Sequence, residues 1–150
     1  MGSSFTTSRR VEFRDTDAAG IVHFASFFEW MEEVEHEFLR QLGVSVMMVS
    51  DGVRVSWPRV HTSCDYHSVL RFADVVDVEL TLAKLGTSSV TYHFAFRCQE
   101  HEVASGKVVT VCCRINDNQP PQSVPIPDTV RENLSQAMKS RTDCQSVKQQ

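Results

Sequence analysis

The sequence predicts a single α+β domain built from one long helix and an antiparallel sheet. Two patterns predict this class: an amphipathic segment of about four helical turns near residues 26–43, and period-two alternation of apolar residues in each later segment. Strands with one apolar face are typical of an antiparallel sheet that is packed on one side. We expect one domain over residues 1–139, with its core in residues 8–116. The helix is expected to cover the apolar face of the sheet.

A short strand is expected before the long helix. Ser8–Arg14 alternates between apolar and polar residues, and this places Val11 and Phe13 on one face of a strand. The apolar helix face that follows repeats at a spacing of three to four residues and consists of Phe27, Met31, Val34, Phe38 and Leu42.

The ends of this helix are also predicted from local sequence. Ser26 with Glu29 has the spacing of a capping box, which indicates a helix start. Gly43 indicates the end, because glycine readily adopts the left-handed conformation that closes many helices.

Four further strands are expected to form a meander. Val53–Val69 is predicted to be one long strand with a bulge near Pro58, because the apolar phase shifts by one residue across this proline. A final long strand is predicted from Val103 to Ile115, with its apolar face at Val109 and Val111. Between these two strands lie two alternating segments, with apolar residues at Val76, Val78, Leu80 and Leu82, then at Val90, Tyr92, Phe94 and Phe96.

The C-terminal part is predicted to be a loop, a short helix and a tail. Residues 116–128 contain four prolines, which is typical of a loop. Apolar residues at helical spacing then predict a helix over about 127–139. Residues 140–150 are expected to be a flexible tail.

Composition excludes several classes of function. The formal net charge is −4, so no general nucleic-acid footprint is visible. No apolar run approaches the ~20 residues of a membrane span, and the N-terminus lacks the pattern of a secretory signal. The five cysteines are odd in number and contain no C-x-x-C, which indicates reduced thiols and a cytoplasmic location.

The stretch RDTDAAGIVHF, residues 14–24, carries the most chemical information. Asp15 and Asp17 stand directly before the long helix, where they can act as turn and cap residues, bind a metal, or take part in catalysis. A metal or phosphoryl site is disfavoured, because the preceding strand is half charged and no helices separate the later strands. His61 and His67 lie about 20 Å apart along one strand and cannot share a metal. No metal site is therefore expected.

The segment from residue 15 to 43, DTDAAGIVHFASFFEWMEEVEHEFLRQLG, resembles the opening of hotdog-fold acyl-CoA thioesterases of the 4-hydroxybenzoyl-CoA thioesterase type. The resemblance extends through the later strands and covers roughly Arg9–Ile115. It implies a long central helix wrapped by a five- or six-stranded antiparallel sheet. It also implies an acyl-CoA substrate, no separate cofactor, and a dimer or dimer of dimers with active sites at the subunit interface.

The same resemblance implies a set of catalytic residues. Asp17 is the catalytic carboxylate, as a nucleophile or as a general base, and Asp15 shapes the loop. The backbone N–H of Phe24 stabilises the developing negative charge at the start of the helix. Gly20 permits a tight turn. His23 departs from the pattern of relatives, and it either contacts substrate or packs at the rim.

The resemblance further implies two groups of substrate-binding residues. The acyl group is expected beside the turn, the helix and a partner's long strand, at Ile21, Val22, Phe27, Trp57 and His61. The phosphates of coenzyme A are expected to be bound by Arg59, Lys84, Gly86, Thr87 and Ser88.

Two other functions stay open from sequence alone. A hydratase or dehydratase of the same fold would act on acyl thioesters through a histidine–carboxylate pair, for which His23 is the only nearby histidine. A non-catalytic module would bind acyl-CoA or an acyl carrier without turnover. Glu29 and Glu33 on the helix rank second to Asp17 as catalytic carboxylates.

Overall fold

The computed structural model describes residues 4–145 of the chain, with side chains described as far as residue 139. This range contains nine strands, two α-helices and one short 3₁₀ helix, Phe13–Asp15. The α-helices are α1 (Ser26–Gln41) and α2 (Asp128–Gln145). The strands are β1 (Ser4–Arg10), β2 (Met47–Ser50), β3 (Val53–Ser56), β4 (Arg59–Tyr66), β5 (Val75–Leu85), β6 (Ser89–Cys98), β7 (His101–Val111), β8 (Cys113–Asn116) and β9 (Gln119–Ser123).

The strands form a five-stranded sheet in the order β1-β5-β6-β7-β4 and a four-stranded sheet in the order β2-β3-β8-β9. Every strand pair is antiparallel. Helix α1 packs its apolar side on the larger sheet: Phe27 contacts Phe96 with ring centroids 5.2 Å apart, and Phe38 contacts Tyr92 at 6.2 Å. The predicted α+β class and the central helix are confirmed. The alternation predicted for β5 and β6 is also confirmed, because their apolar residues are buried in one core.

The first strand lies earlier than predicted. Strand β1 ends at Arg10, and the chain then turns through the 3₁₀ helix, so Val11 is buried whereas Phe13 is 79% exposed. The side chain of Asp15 accepts a hydrogen bond from the N–H of Glu12 at 2.8 Å and closes this turn. A local side-chain bond thus replaces the strand pairing that the alternation predicted.

The two long predicted strands are each interrupted. Val53–Val69 divides into β3 and β4, which belong to different sheets, because Pro58 has no N–H with which to continue a ladder. Its carbonyl instead accepts the N–H of Val111 at 3.0 Å. Val103–Ile115 divides into β7 and β8 at Cys112. The buried residues of β7 include Val108 and Thr110, so the predicted apolar phase of this strand was wrong.

The expected meander is wrong for β4. This strand pairs with β7 at the edge of the larger sheet and does not neighbour β5. Strand β2 was not predicted, and β9 lies in the expected proline loop. Pro120 and Pro121 are tolerated in β9 because it is an exposed edge strand.

The helix ends differ from prediction in two places. The capping box is wrong: α1 begins at Ser26, its N-cap is Ala25, and no side chain caps it. The end at Gly43 is confirmed by a φ of +73°. Helix α2 begins next to its predicted start but continues to Gln145, so residues 140–145 are helical rather than a tail. Residues 146–150 lie outside the described part of the chain.

No helix within residues 4–145 is long and apolar enough to cross a membrane. Four of the cysteines are free thiols: Cys64, Cys98, Cys112 and Cys113.

Candidate active site

Asp15 ties the loop before α1 to the start of the helix. It is buried, with 5% of its surface exposed. Besides the side-chain bond to Glu12, its backbone carbonyl accepts the N–H of His23 at 2.8 Å and the hydroxyl of Ser26 at 3.2 Å. All three bonds hold the loop in shape. The Asp15 carboxylate is buried and does not face solvent.

Asp17 begins the tight turn that follows. Its N–H donates to the carbonyl of Ile21 at 2.9 Å, and the N–H of Gly20 donates to its carbonyl at 3.0 Å. Gly20 has a φ of +77°, the left-handed conformation that favours glycine. The Oδ1 atom of Asp17 accepts the N–H of Ala19 at 2.8 Å, whereas Oδ2 has no hydrogen-bond partner among the described residues. One oxygen therefore orients the carboxylate and the other stays available.

A cavity of about 170 Å³ lies beside this turn. Five predicted site residues line it: Asp17, Ile21, Val22, Phe24 and Phe27. Four further residues complete the lining: Tyr66, Ser68, Val69 and Leu70. These four come from the end of β4 and the loop after it, and a sequence pattern gives no signal for contacts across so long a chain separation.

The backbone N–H of Phe24 differs from those of its two neighbours in having no acceptor among the described residues. The neighbouring N–H groups are both engaged: that of His23 bonds to Asp15, and that of Ala25 donates to Nδ1 of His23 at 3.2 Å. Among the described residues the Phe24 N–H donates to no acceptor. It lies just before α1, where the helix dipole favours negative charge.

His23 is exposed and does not line the cavity. Its ring packs on that of Phe24 with centroids 4.6 Å apart. The structure thus gives His23 a role in packing the turn.

The remaining predicted residues are not brought to this cavity within one chain. Trp57 is buried in the core, and His61 is exposed on β4. Lys84, near the end of β5, and the following turn with Gly86, Thr87 and Ser88 do not line this cavity. The carbonyls of Gly86 and Thr87 each accept a bond from Arg131 at 2.7 Å.

Arg59 belongs to a separate charged cluster. It lines a second cavity of about 490 Å³ together with Glu29, Glu32 and Glu33, and its Nη2 lies 2.8 Å from Oε2 of Glu35. Glu35 is 1% exposed, and burial raises its pKa to about 7 although Arg59 opposes this. This cluster was not predicted from sequence. Within residues 4–139, no group of three or more potential metal ligands is assembled.

One class of protein combines a central helix, a surrounding antiparallel sheet, and an acidic turn next to the start of that helix. They are the features of a hotdog-fold thioester hydrolase. Residues 11–134 match the thioesterase-like superfamily, and the chain belongs to this family. The family predicted from the D-x-D stretch is therefore confirmed, and the protein is an enzyme of the thioester hydrolase class.

Two kinds of known protein illustrate the similarity. A 1,4-dihydroxy-2-naphthoyl-CoA hydrolase of Prochlorococcus marinus (strain MIT 9303) is 35% identical over 103 residues, which are 64% of this chain and 68% of the relative. The structure of a gentisyl-coenzyme A thioesterase is 31% identical with a TM-score of 0.75, and the match covers 87% of this chain and 99% of that one. A 1,4-dihydroxy-2-naphthoyl-CoA thioesterase from Synechocystis, at 22% identity and a TM-score of 0.78 over 88% of this chain and 96% of that one, shares the fold.

Proposed function

We propose that this protein hydrolyses an acyl-CoA thioester to a free carboxylic acid and coenzyme A, with Asp17 as the catalytic carboxylate. The observation that carries the proposal is that Asp17 and Phe24, whose backbone N–H donates to no described group, line one cavity. Carboxylate and donor are the two groups that thioester hydrolysis needs around one carbonyl.

In this mechanism the thioester carbonyl oxygen accepts the N–H of Phe24. Negative charge that develops on this oxygen is stabilised by the donor and by the start of α1, and an oxyanion donor contributes about 2.7–4 kcal/mol. Asp17 either attacks the carbonyl carbon and forms a mixed anhydride, which water then hydrolyses to the free acid and the regenerated carboxylate, or it deprotonates a water that attacks the carbonyl carbon directly. The sulfur leaves as the thiolate of coenzyme A, which needs no strong general acid. Both roles use the same carboxylate position.

We further propose that the acyl group is aromatic. The rings of Phe24, Phe27 and Tyr66 line the cavity. Two of the similar proteins carry names with aromatic acyl groups, 1,4-dihydroxy-2-naphthoyl and gentisyl. Aromatic side chains favour aromatic ligands through stacked and edge-on contacts.

The proposed site is completed by a second copy of the chain. Strand β4 is an edge strand that is exposed along nearly its whole length, and such an edge can pair with another strand. A homodimer would also allow the turn at residues 84–88, together with Arg59, to bind the coenzyme A phosphates of a partner's cavity. Light scattering tests this: we expect at least twice the chain mass of 17.0 kDa, and a monomer at micromolar concentration contradicts it.

The test of the function is thiol release from a panel of acyl-CoA substrates. The panel contains 4-hydroxybenzoyl-, gentisyl-, 1,4-dihydroxy-2-naphthoyl-, hexanoyl- and palmitoyl-CoA. We expect the highest kcat/KM with an aromatic member. Turnover of aliphatic members alone would contradict the aromatic assignment, and no thiol release from any member would contradict the function.

The same panel separates the rival functions. A hydratase would convert an enoyl-CoA without releasing thiol, but no histidine is among the residues that line the cavity in the described chain. A binding module would retain acyl-CoA tightly and release no product.

A further inference from the structure

Tyr66 joins the end of β4 to the turn before α1. Its hydroxyl donates a hydrogen bond to the backbone carbonyl of Phe24 at 3.0 Å. Its ring meets Phe27 edge-on, with centroids 5.1 Å apart, and Phe27 packs in turn on Phe96 of β6. The phenol is thus held by the core at one end and bonded to the turn at the other.

The backbone of Phe24 is held by hydrogen bonds on both of its peptide groups, and the bond from Tyr66 is one of them. Phe24 precedes α1, so its peptide groups are outside the helical hydrogen bonds, and its side chain is 63% exposed. The peptide group that carries the Phe24 N–H is held through the His23 carbonyl, which accepts the N–H of Ser26 at 2.9 Å. The next peptide group is held by the bond from Tyr66 to the Phe24 carbonyl and by the bond from the Ala25 N–H to Nδ1 of His23. Both peptide groups of Phe24 are therefore anchored.

The bond also affects the charge around the cavity. An unbonded carbonyl oxygen near a developing oxyanion would repel it, whereas a carbonyl that accepts a hydrogen bond is kept in place and partly neutralised. Burial and the neighbouring Cys64 raise the pKa of Tyr66 to about 12, so the hydroxyl keeps its proton at neutral pH and remains a donor.

We propose that Tyr66 is a positioning residue for the reaction: its hydroxyl holds the Phe24 backbone so that the Phe24 N–H points at the thioester oxygen. The inference rests on the proposed function. It predicts an effect on the chemical step rather than on substrate binding, because preorganised donors act most strongly on the charge of the transition state.

The test is Tyr66→Phe, which keeps the ring and removes only the hydroxyl. We expect kcat on the best aromatic substrate to fall about tenfold, with KM within about twofold of wild type, as for the loss of one neutral hydrogen bond. Tyr92→Phe is the matched control, because it removes the hydroxyl of a buried tyrosine that does not line the cavity, and we expect wild-type kcat.

A double-mutant cycle separates positioning from a general structural role. Phe24→Pro removes the N–H itself, so adding Tyr66→Phe to Phe24→Pro is expected to cause little further loss of kcat. If each substitution lowers kcat by the same factor with or without the other, the proposal is overturned. A Tyr66→Phe enzyme with wild-type kcat would also overturn it. A wild-type enzyme that hydrolyses no acyl-CoA overturns the proposed function and this inference together. An active wild type with an unchanged Tyr66→Phe variant overturns this inference alone.

Discussion

The backbone N–H of His23 donates to the carbonyl of Asp15 at 2.8 Å, and this bond ties the acidic loop to the start of α1. The aspartate that makes it is buried and does not line the cavity, whereas Asp17, two residues later, does. The two carboxylates of the D-x-D motif thus lie in different environments. We therefore expect their substitutions to have different effects.

Asp15→Ala is expected to destabilise the protein. It removes the bond from the Glu12 N–H to a buried carboxylate, and a hydrogen bond to a charged group contributes about 1.5–3 kcal/mol. Urea unfolding at fixed protein concentration measures the change in free energy of unfolding. Asp17→Asn, on the half-buried neighbour, is expected to change this free energy by less than about 0.5 kcal/mol. Equal losses would contradict the division of roles.

Phe24→Ala and Phe24→Pro are expected to differ in activity. The alanine variant keeps the backbone N–H, whereas proline has none. We expect Phe24→Pro to lose about 10²–10³ in kcat and Phe24→Ala to lose far less. Steady-state thiol release measures both, with circular dichroism to check that each variant is folded. Similar kcat values for the two folded variants would show that the N–H is not used.

Glu35 is expected to make stability depend on pH. Burial raises its pKa in the folded protein from 4.5 to about 7, so the folded state binds this proton more tightly than the unfolded state does. Its contribution is therefore fully present below about pH 4.5 and is lost as pH rises through about 7. Glu35→Gln removes the titration and still offers Arg59 an acceptor. The free energy of unfolding, measured with urea at pH 4.5 and at pH 8, is expected to fall less between the two pH values for this variant than for the wild type. An equal fall in the two proteins would contradict the assignment of the effect to Glu35.

Gly106 of β7 is expected to accept a side chain only at a cost in stability. A Cβ atom there would overlap the sulfur of Met31, a fully buried residue of α1. We expect Gly106→Ala to lower the free energy of unfolding by about 1–3 kcal/mol. Adding Met31→Ala frees the space, so the double variant should be less destabilised than the sum of the single variants. If the losses in free energy of unfolding are additive, the overlap between residue 106 and Met31 is not the cause of the destabilisation.

Regular alternation was sufficient to predict the centre of the sheet and its covering helix. Strands β5 and β6 were predicted because each has a paired strand on both sides and so shows its pattern without interruption. The errors fall where a local bond or a proline competes with the pattern. Asp15 closes a turn in place of a longer first strand, and Pro58 ends β3 before β4 begins.

The candidate site was predicted only in its local part. The acidic turn and the helix start are contiguous in sequence, and the family resemblance distinguished Asp17 from Asp15. The contribution of Tyr66 could not be predicted, because it is separated from Phe24 by 42 residues and its strand paired differently from the expected meander. The bond between them depends on where the end of β4 meets α1, which only the fold defines.

The kcat of Asp17→Asn on the best aromatic acyl-CoA tests the central claim most directly. Asparagine keeps an oxygen that can accept the Ala19 N–H, so the turn is preserved while the nucleophile or base is removed. Asp51→Asn, the same change on an exposed turn, is the control and should keep wild-type activity. We predict that Asp17→Asn lowers kcat by at least about 10². A folded Asp17→Asn enzyme with kcat within twofold of wild type would contradict the assignment of Asp17 as the catalyst.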